Sequence, residues 1–422
     1  MVFIFDFLLI LYSSILALLA YKKVVFQKNC SIANYVLLII YVFCVIPIIF
    51  NYLVGIPSYS TIYWYKVFIE PMKNETVNII YDIYILFTLI CLYFFCCRKR
   101  STKIINTENF FTNVLKNRLI SILLILSPII YIIFSGNFYN FLTFNVASVR
   151  GVFEGTQYVT PLLLISIITF FSIVFKNNLS FKKIFFSLIY FFVIVWISGK
   201  RFMIANILLL SLYYVSNMNL SEKIRKKIFK MIPFFVIFLI FFSGFYLVKV
   251  RPLSNTSARS VYEMLRVDFG RDDVIKYVID KEFIKNTPIL EYRGQSFVGL
   301  LGSFIPRKIW NSKPYPHYMY LTSSILGLSI FDIPAGTTPS WLEMCLCNFY
   351  IMGFLIAPLS LIFFCKLADN SNDVDSKALY LLLIVVLLTQ SMDVYLVAVV
   401  MLFLMRFLIH TFKNKKIKLV WK

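Results

Sequence analysis

Long apolar runs, separated by short polar stretches, follow one another along most of this chain. Many approach the roughly 20 apolar residues that cross a bilayer as a helix. Polar and apolar residues do not alternate within them, which favours helices over the strands of a membrane barrel. The pattern predicts an all-α polytopic membrane protein with about 11 transmembrane helices. The runs lie near residues 2–21, 32–54, 78–97, 119–135, 161–175, 183–198, 202–218, 231–248, 341–365, 378–391 and 394–411.

One polar interruption is far longer than the others and divides the chain into three parts. Residues 1–248 carry the eight runs that precede it and are predicted to form an N-terminal membrane bundle. Residues 249–340 form a large external loop, and loops of this length are usually functional. Residues 341–422 are predicted to form the C-terminal membrane helices and a basic cytoplasmic tail.

The long loop contains two patterns typical of short amphipathic helices. An apolar stripe that includes Val261 and Met264 ends near Gly270, and Asp272 opens a second helix. We expect both helices to lie on the membrane surface or on the bundle. The stretch that follows, 294–340, is rich in Gly and Pro and is predicted to contain no regular helix.

Basic residues concentrate on alternate short loops, which the positive-inside tendency places in the cytoplasm. The chain carries 42 Lys and Arg against 20 Asp and Glu, a net charge of +22. Most of this excess follows from membrane orientation, so no nucleic-acid partner is predicted. The basic clusters include Lys22, Lys23, Lys28, Arg98, Lys99, Arg100, Lys176, Lys182, Lys183, Arg225, Lys226 and Lys227.

Composition excludes a soluble enzyme and a disulfide-stabilised secreted domain. The chain is 60% hydrophobic and 15% charged, with a mean hydropathy of +0.81, whereas soluble domains are about 25% charged. It has no Gly-rich phosphate loop, and its two histidines do not occur with cysteines at zinc-site spacing. We therefore predict no metal, no cofactor and a substrate that carries its own activation.

Several cations lie on the predicted outer side, against the usual bias. Snorkelling side chains or surface ion pairs would account for them. Rigidly held cations would instead suit a phosphate, because Arg offers a bidentate fork and Lys a point charge. The cations singled out are Arg150, Arg201, Arg251, Arg307 and Lys313.

Two residues are candidates for acid–base chemistry. Glu343 is the only carboxylate in its apolar run, at the mouth of a predicted membrane helix, where an ionisable residue is a functional candidate. It could equally complement the dipole of the helix start. His317 could act as a general base, since histidine is the side chain whose ordinary pKa of about 6.5 lies closest to neutrality, although a loop histidine flanked by aromatic residues is more often structural.

The order of these features resembles the oligosaccharide repeat-unit polymerases of bacterial surface-polysaccharide pathways (O-antigen polymerases of the Wzy type). The most specific string, Pro306-Arg307-x-x-Trp310-x-x-Lys313-Pro314, carries much of the likeness. Tyr350 stands where that family usually has glycine after Asn-Phe. The other similar stretches are Arg150 to Gly155, Ser198-Gly199-Lys200-Arg201, Gly294-Gln295-Ser296-Phe297, and Thr338-Pro339-Ser340-x-x-Glu343 followed by Asn348-Phe349 and Gly353.

The resemblance implies a GT-C-like membrane glycosyltransferase in the bacterial inner membrane, with its active face periplasmic. Donor and acceptor would both be oligosaccharides linked to undecaprenyl diphosphate, joined with inversion and without a metal. The five external cations would bind the diphosphate, Trp310 would stack on substrate, and Glu343 or His317 would act as base. Implied partners are a chain-length regulator, a flippase and membrane lipids.

Two other functions remain open from the sequence. An O-antigen ligase would use the same chemistry with lipid A-core as acceptor, and the Pro-Arg-x-x-Trp string disfavours it. A flippase for lipid-linked oligosaccharide should show inverted repeats and polar residues at the midplanes of several spans. Neither is visible, and the external cations gather on one face.

Overall fold

Helices account for all the regular secondary structure of the residues that the structure describes. The structure is a computed structural model, and no strand occurs in its described ranges, which confirms the helical class. These ranges are residues 2–27, 30–60, 63–98, 118–134, 156–174, 181–198, 202–217, 258–302, 305–333, 336–371, 374–390 and residue 399.

The helices follow the apolar runs closely. Those before the long loop are α1 (Val2–Phe26), α2 (Ala33–Leu53), α3 (Glu75–Cys97), α4 (Arg118–Phe134), α5 (Thr156–Val174), α6 (Phe181–Ser198) and α7 (Phe202–Asn217). Those within and after it are α8 (Ala258–Phe269), α9 (Asp272–Ile279), α10 (Gln295–Leu301), α11 (His317–Leu326), α12 (Trp341–Phe349), α13 (Gly353–Asp369) and α14 (Val374–Thr389).

Four helical segments among the described residues are long and apolar enough to cross a membrane. They are α1, α2, α3 and the continuous stretch Trp341–Asp369, in which a 3₁₀ turn joins α12 to α13. Apolar side chains point outward from α1, where Phe3 is 66% exposed and Leu18 is 60% exposed. An apolar exterior is expected of helices that face lipid. The predicted run at 231–248 lies outside the described residues, and the run at 394–411 does too except for residue 399.

The described residues form two compact units. The first draws on Met1–Ile104 and Ile204–Ser391, and the second on Ile105–Met203 and Met392–Lys422. In the second unit, α5 packs against α4 and α6. In the first, α3 packs against α1 and α13, and α9 packs against both α3 and α12. The predicted division at residues 248 and 340 concerns sides of the membrane and stays a prediction.

A proline in α2 helps to place the α8–α9 turn. Pro47 has no N–H to offer the carbonyl four residues earlier, and the helix widens into a π turn over Tyr41–Val45. The carbonyl four residues before the proline belongs to Phe43, and it accepts a hydrogen bond from the backbone N–H of Arg271 at 3.0 Å. The Arg271 side chain donates in turn to the carbonyl of Thr389 at 3.0 Å.

Helices α8 and α9 confirm the two helices predicted in the long loop, and α9 lies against the bundle. Every residue of α9 is buried, including Asp272 and Asp273. The buried guanidinium of Arg266 on α8 pairs with both carboxylates, and Tyr59 donates its hydroxyl to Asp273. Buried charges persist only when they are paired in this way.

The prediction that 294–340 contains no regular helix is wrong. Helices α10 and α11 lie within it because its breakers stand at helix ends. Gly294 (φ +81°) precedes α10, Pro316 precedes α11, and Gly327 (φ +64°) ends it. Gly and Pro at such positions delimit helices and do not interrupt them.

Candidate functional site

Three side chains that start three different helices meet in a hydrogen-bonded chain. The Ser296 hydroxyl on α10 lies 2.7 Å from Nδ1 of His317, the first residue of α11. The other ring nitrogen, Nε2, lies 3.1 Å from the carboxylate of Glu343 in the first turn of α12. The result is a hydroxyl–imidazole–carboxylate series, an order that passes a proton readily when the imidazole is neutral.

Glu343 is fixed from both sides of its carboxylate. One oxygen accepts the backbone N–H of Ser340 at 2.9 Å, the capping-box bond that closes the start of α12. The other oxygen faces His317, and the thiol of Cys347, one turn further along α12, lies 3.9 Å from it. Glu343 can therefore cap the start of α12 with one oxygen and hydrogen-bond His317 with the other, so its two predicted roles are compatible.

Ser296 is held by its backbone rather than by its side chain alone. Its N–H donates to the Asn348 side-chain oxygen at 3.1 Å, and the N–H of Gly294 donates to the Asn348 carbonyl at 3.1 Å. Asn348 itself is anchored by a bond from its amide to the Met344 carbonyl at 2.7 Å. The end of α12 thus clamps the start of α10 and orients the Ser296 hydroxyl towards His317.

The chain is closed to solvent in this conformation, and its two ends differ in depth. Ser296 is 1% exposed, whereas His317 and Glu343 are 0% exposed. Ser296 lies between the buried Gln295 and the partly exposed Phe297, and His317 lies between the partly exposed Pro316 and Tyr318. Glu343 lies on a helix turn of which every neighbour is buried. Glu343 is therefore the innermost member of the series, and Ser296 and His317 each adjoin partly exposed residues.

A second group of predicted residues meets in the turn before α11. The Arg307 guanidinium stacks 3.7 Å above the ring of Tyr315 and donates to the carbonyl of Lys313 at 2.7 Å. A longer bond of 3.4 Å reaches the carbonyl of Pro314. A guanidinium has five N–H donors, so three remain after these bonds. Arg307 is partly exposed, and no ion pair joins it to an acid among the described residues.

The two cations of this turn lie close to each other. The Lys313 ammonium donates to the carbonyl of Ile305 at 3.0 Å. Burial, and then the positive charge of Arg307, lower the pKa of Lys313. The Trp310 ring packs against Gly302 and fills the space that a side chain there would need. An anion placed here would relieve the repulsion between the two cations.

Helix α10 connects the hydrogen-bonded chain to the cationic turn. Its first residue, Gln295, donates to the Tyr320 hydroxyl at 2.9 Å, and that hydroxyl accepts the backbone N–H of Tyr315 at 3.1 Å. Tyr315 carries the Arg307 guanidinium. Further along α10, Gly299 packs closely on Pro314, whose side chain would lie 3.1 Å from a β-carbon added at the glycine. Both groups therefore belong to one packed region of the first unit.

The structure brings together five of the predicted site residues. Glu343 joins His317, and Arg307 shares a turn with Lys313 and Trp310. The remaining predicted cations, Arg150, Arg201 and Arg251, lie outside the described residues, so their placement stays a prediction. Ser296 and Asn348 were absent from the predicted site, although both stand in the stretches that carry the family resemblance.

One mixed set of side chains has metal-ligand chemistry. Ligand atoms of His317, Glu343 and Cys347 lie within 4.8 Å of one another, and all three residues are buried. The nitrogen and carboxylate already satisfy each other by a hydrogen bond. Nothing else in the site requires an ion, and the expectation of no metal stays a prediction.

Comparison with known proteins adds no relative to this geometry. No protein-family profile, no curated protein sequence and no solved structure matches the chain.

Proposed function

We propose that this chain is a membrane glycosyltransferase that polymerises oligosaccharide repeat units. It transfers a growing glycan from undecaprenyl diphosphate to a second lipid-linked repeat unit, with inversion and without a metal. The observation that carries the proposal is the Arg307–Lys313 cation pair, held in a rigid turn with guanidinium donors to spare. That turn coincides with the most specific string of the family resemblance.

The chemistry of the proposed reaction matches such a cation pair. A glycosyl diphosphate is already activated, because the diphosphate leaves with the electrons of the broken carbon–oxygen bond. The charge that develops on it must be stabilised by donors fixed in advance. Stacking on Tyr315 and bonds to two carbonyls fix the Arg307 guanidinium before any ligand binds. Arg150, Arg201 and Arg251 are proposed to complete the diphosphate site.

The acceptor hydroxyl requires a base, and the His317–Glu343 pair is proposed to supply it. Its burial implies that the substrate reaches the pair only after part of its cover moves. The proposed architecture is GT-C-like, with 11 spans in the bacterial inner membrane and the 249–340 loop in the periplasm. A chain-length regulator and a flippase are the proposed partners of the pathway.

Reconstituted protein tests the proposal directly. Wild-type protein in vesicles should convert synthetic lipid-linked repeat units into polymer in the presence of EDTA. Arg307→Ala should lower the rate by about 10²-fold or more, and Arg307→Lys should restore little if the planar fork matters. Arg259→Ala, at an exposed arginine on α8, is the matched control and should transfer normally.

The same vesicles separate the competing functions. Addition of lipid A-core as acceptor would reveal a ligase if glycan appears on it and no polymer forms. Movement of intact lipid-linked units across the bilayer without a new glycosidic bond would indicate a flippase. Wild-type protein that forms no polymer under any of these conditions would refute the proposed function.

A further inference from the structure

The proposed function leaves open whether His317 or Glu343 is the base. The hydrogen-bonded chain allows a more specific assignment of roles, which rests on that proposed function. Both nitrogens of His317 are engaged, Nδ1 by Ser296 and Nε2 by Glu343. A substrate hydroxyl therefore has no direct access to the ring in this arrangement. Ser296 adjoins the partly exposed Phe297, and its hydroxyl can both accept and donate a proton.

We propose that Ser296 is a catalytic residue, the substrate-contacting end of a proton relay formed with His317 and Glu343. The acceptor sugar hydroxyl gives its proton to the Ser296 oxygen, and the Ser296 hydroxyl proton passes to Nδ1 of His317. The acceptor oxygen bonds to the anomeric carbon of the donor. The bond from that carbon to the diphosphate breaks, and the diphosphate leaves with its electrons. The resulting imidazolium returns its proton to water.

Hydrogen-bond geometry assigns the direction of this relay. An ionised Glu343 can only accept, and one of its oxygens is already used by the Ser340 N–H. Its other oxygen therefore takes the proton on Nε2, which leaves Nδ1 of a neutral ring as the acceptor for Ser296. Glu343 is a positioning residue in this scheme, because it sets the tautomer and stabilises the imidazolium without contacting substrate.

Backbone hydrogen bonds to Asn348 hold the Ser296 hydroxyl in its orientation towards His317. Asn348 receives the N–H groups of Gly294 and Ser296, so the first turn of α10 cannot rotate away from His317 without breaking two bonds. The left-handed conformation of Gly294 turns the chain into α10 at the point where the clamp begins. Threonine could replace Ser296 in the relay, since it keeps the hydroxyl.

Transfer assays on substitutions of Ser296 test its role. Ser296→Ala should lower the transfer rate by about 10²-fold or more, and Ser296→Thr should recover most of it. Ser323→Ala is the matched control, because it removes a hydroxyl that donates to the Leu328 carbonyl and lies outside the proposed relay. Ser296→Ala transferring at the wild-type rate would overturn the proposal.

A second readout does not depend on turnover. The chain has two histidines, so His410→Gln leaves His317 as the only source of imidazole ¹⁵N signals. We expect a neutral ring protonated on Nε2, with the Nδ1 signal displaced in Ser296→Ala. Protonation on Nδ1, or no response to Ser296→Ala, would refute the relay. The expected spectra together with a wild-type protein that transfers nothing would instead reject the proposed function, and with it the sugar hydroxyl as the proton source.

Discussion

Nε2 of His317 lies 3.1 Å from a carboxylate oxygen of Glu343, although 26 residues separate them in the sequence. Both side chains are fully buried, and Glu343 also closes the first turn of α12. The pair thus joins the start of α11 to the start of α12. Its loss should affect the stability of the protein as well as any chemistry.

Truncation of Glu343 should destabilise the protein far more than neutralisation. Glu343→Ala leaves His317 buried without an acceptor and removes the helix cap, so we expect a loss of about 3–5 kcal/mol. Glu343→Gln keeps a side-chain oxygen for the Ser340 N–H and should cost roughly 1–2 kcal/mol. Urea unfolding in detergent micelles measures both. The exposed Glu75→Gln should change stability by less than about 0.5 kcal/mol, and equal losses at the two sites would contradict this account.

Gly302 should control the position of Trp310. A β-carbon at Gly302 would lie 2.4 Å from the indole ring, so Gly302→Ala must displace that ring. We expect a shift in Trp310 fluorescence, read as the difference from a Trp310→Phe background, and about tenfold slower transfer through disturbance of the Arg307 turn. Gly302→Ala combined with Trp310→Ala should cost less than the sum of the single changes. Strict additivity would show that the two residues do not compete for space.

Tyr350 occupies a backbone conformation that suits glycine, with φ at +55°. Its ring compensates by stacking on Phe283, with centroids 4.7 Å apart, and by receiving the Arg293 guanidinium at 4.9 Å. Tyr350→Ala keeps the strain and loses the stacking, whereas Tyr350→Gly loses both. The alanine variant should therefore be less stable than the glycine variant by roughly 1 kcal/mol in urea unfolding. The reverse order would show that the left-handed conformation carries no strain.

Asp273 should make stability depend on pH. Burial raises its pKa from the ordinary 3.8 to about 6, despite the opposing charge of Arg266. A folded state with the higher pKa binds the proton more tightly than the unfolded chain. The stabilisation that results is complete below pH 3.8 and is lost as pH rises through about 6.

Unfolding at a series of pH values between 4 and 7 tests this dependence. The stability of the wild-type protein should fall over that interval relative to Asp273→Asn, which cannot titrate there. Asp332→Asn, at an exposed carboxyl, should leave the difference unchanged. Parallel curves for the wild-type protein and Asp273→Asn would show that the Asp273 carboxyl does not titrate in this range.

Local sequence patterns predicted the helices well but misread one region. Apolar runs determined α1 to α7, because a long apolar stretch must satisfy its backbone polar groups within a helix. The acidic pair at Asp272 marked the start of α9 for the same local reason. The Gly and Pro content of 294–340 led to the wrong prediction for α10 and α11, because the number of such residues does not show whether they stand at helix ends or in helix interiors. The sequence pattern does not decide whether α9 lies on the membrane surface or packs on the bundle.

What the sequence by itself determined is the helical membrane class, the position of most helices and the chemical type of the candidate residues. Periodicity and run length are local properties, and they are written directly in the order of residues. Only the tertiary structure decided that His317 meets Glu343, that Ser296 completes the series, and that Arg307 stacks on Tyr315 beside Lys313. These contacts depend on how separate helix starts pack together, and packing between distant segments leaves no local periodicity to read.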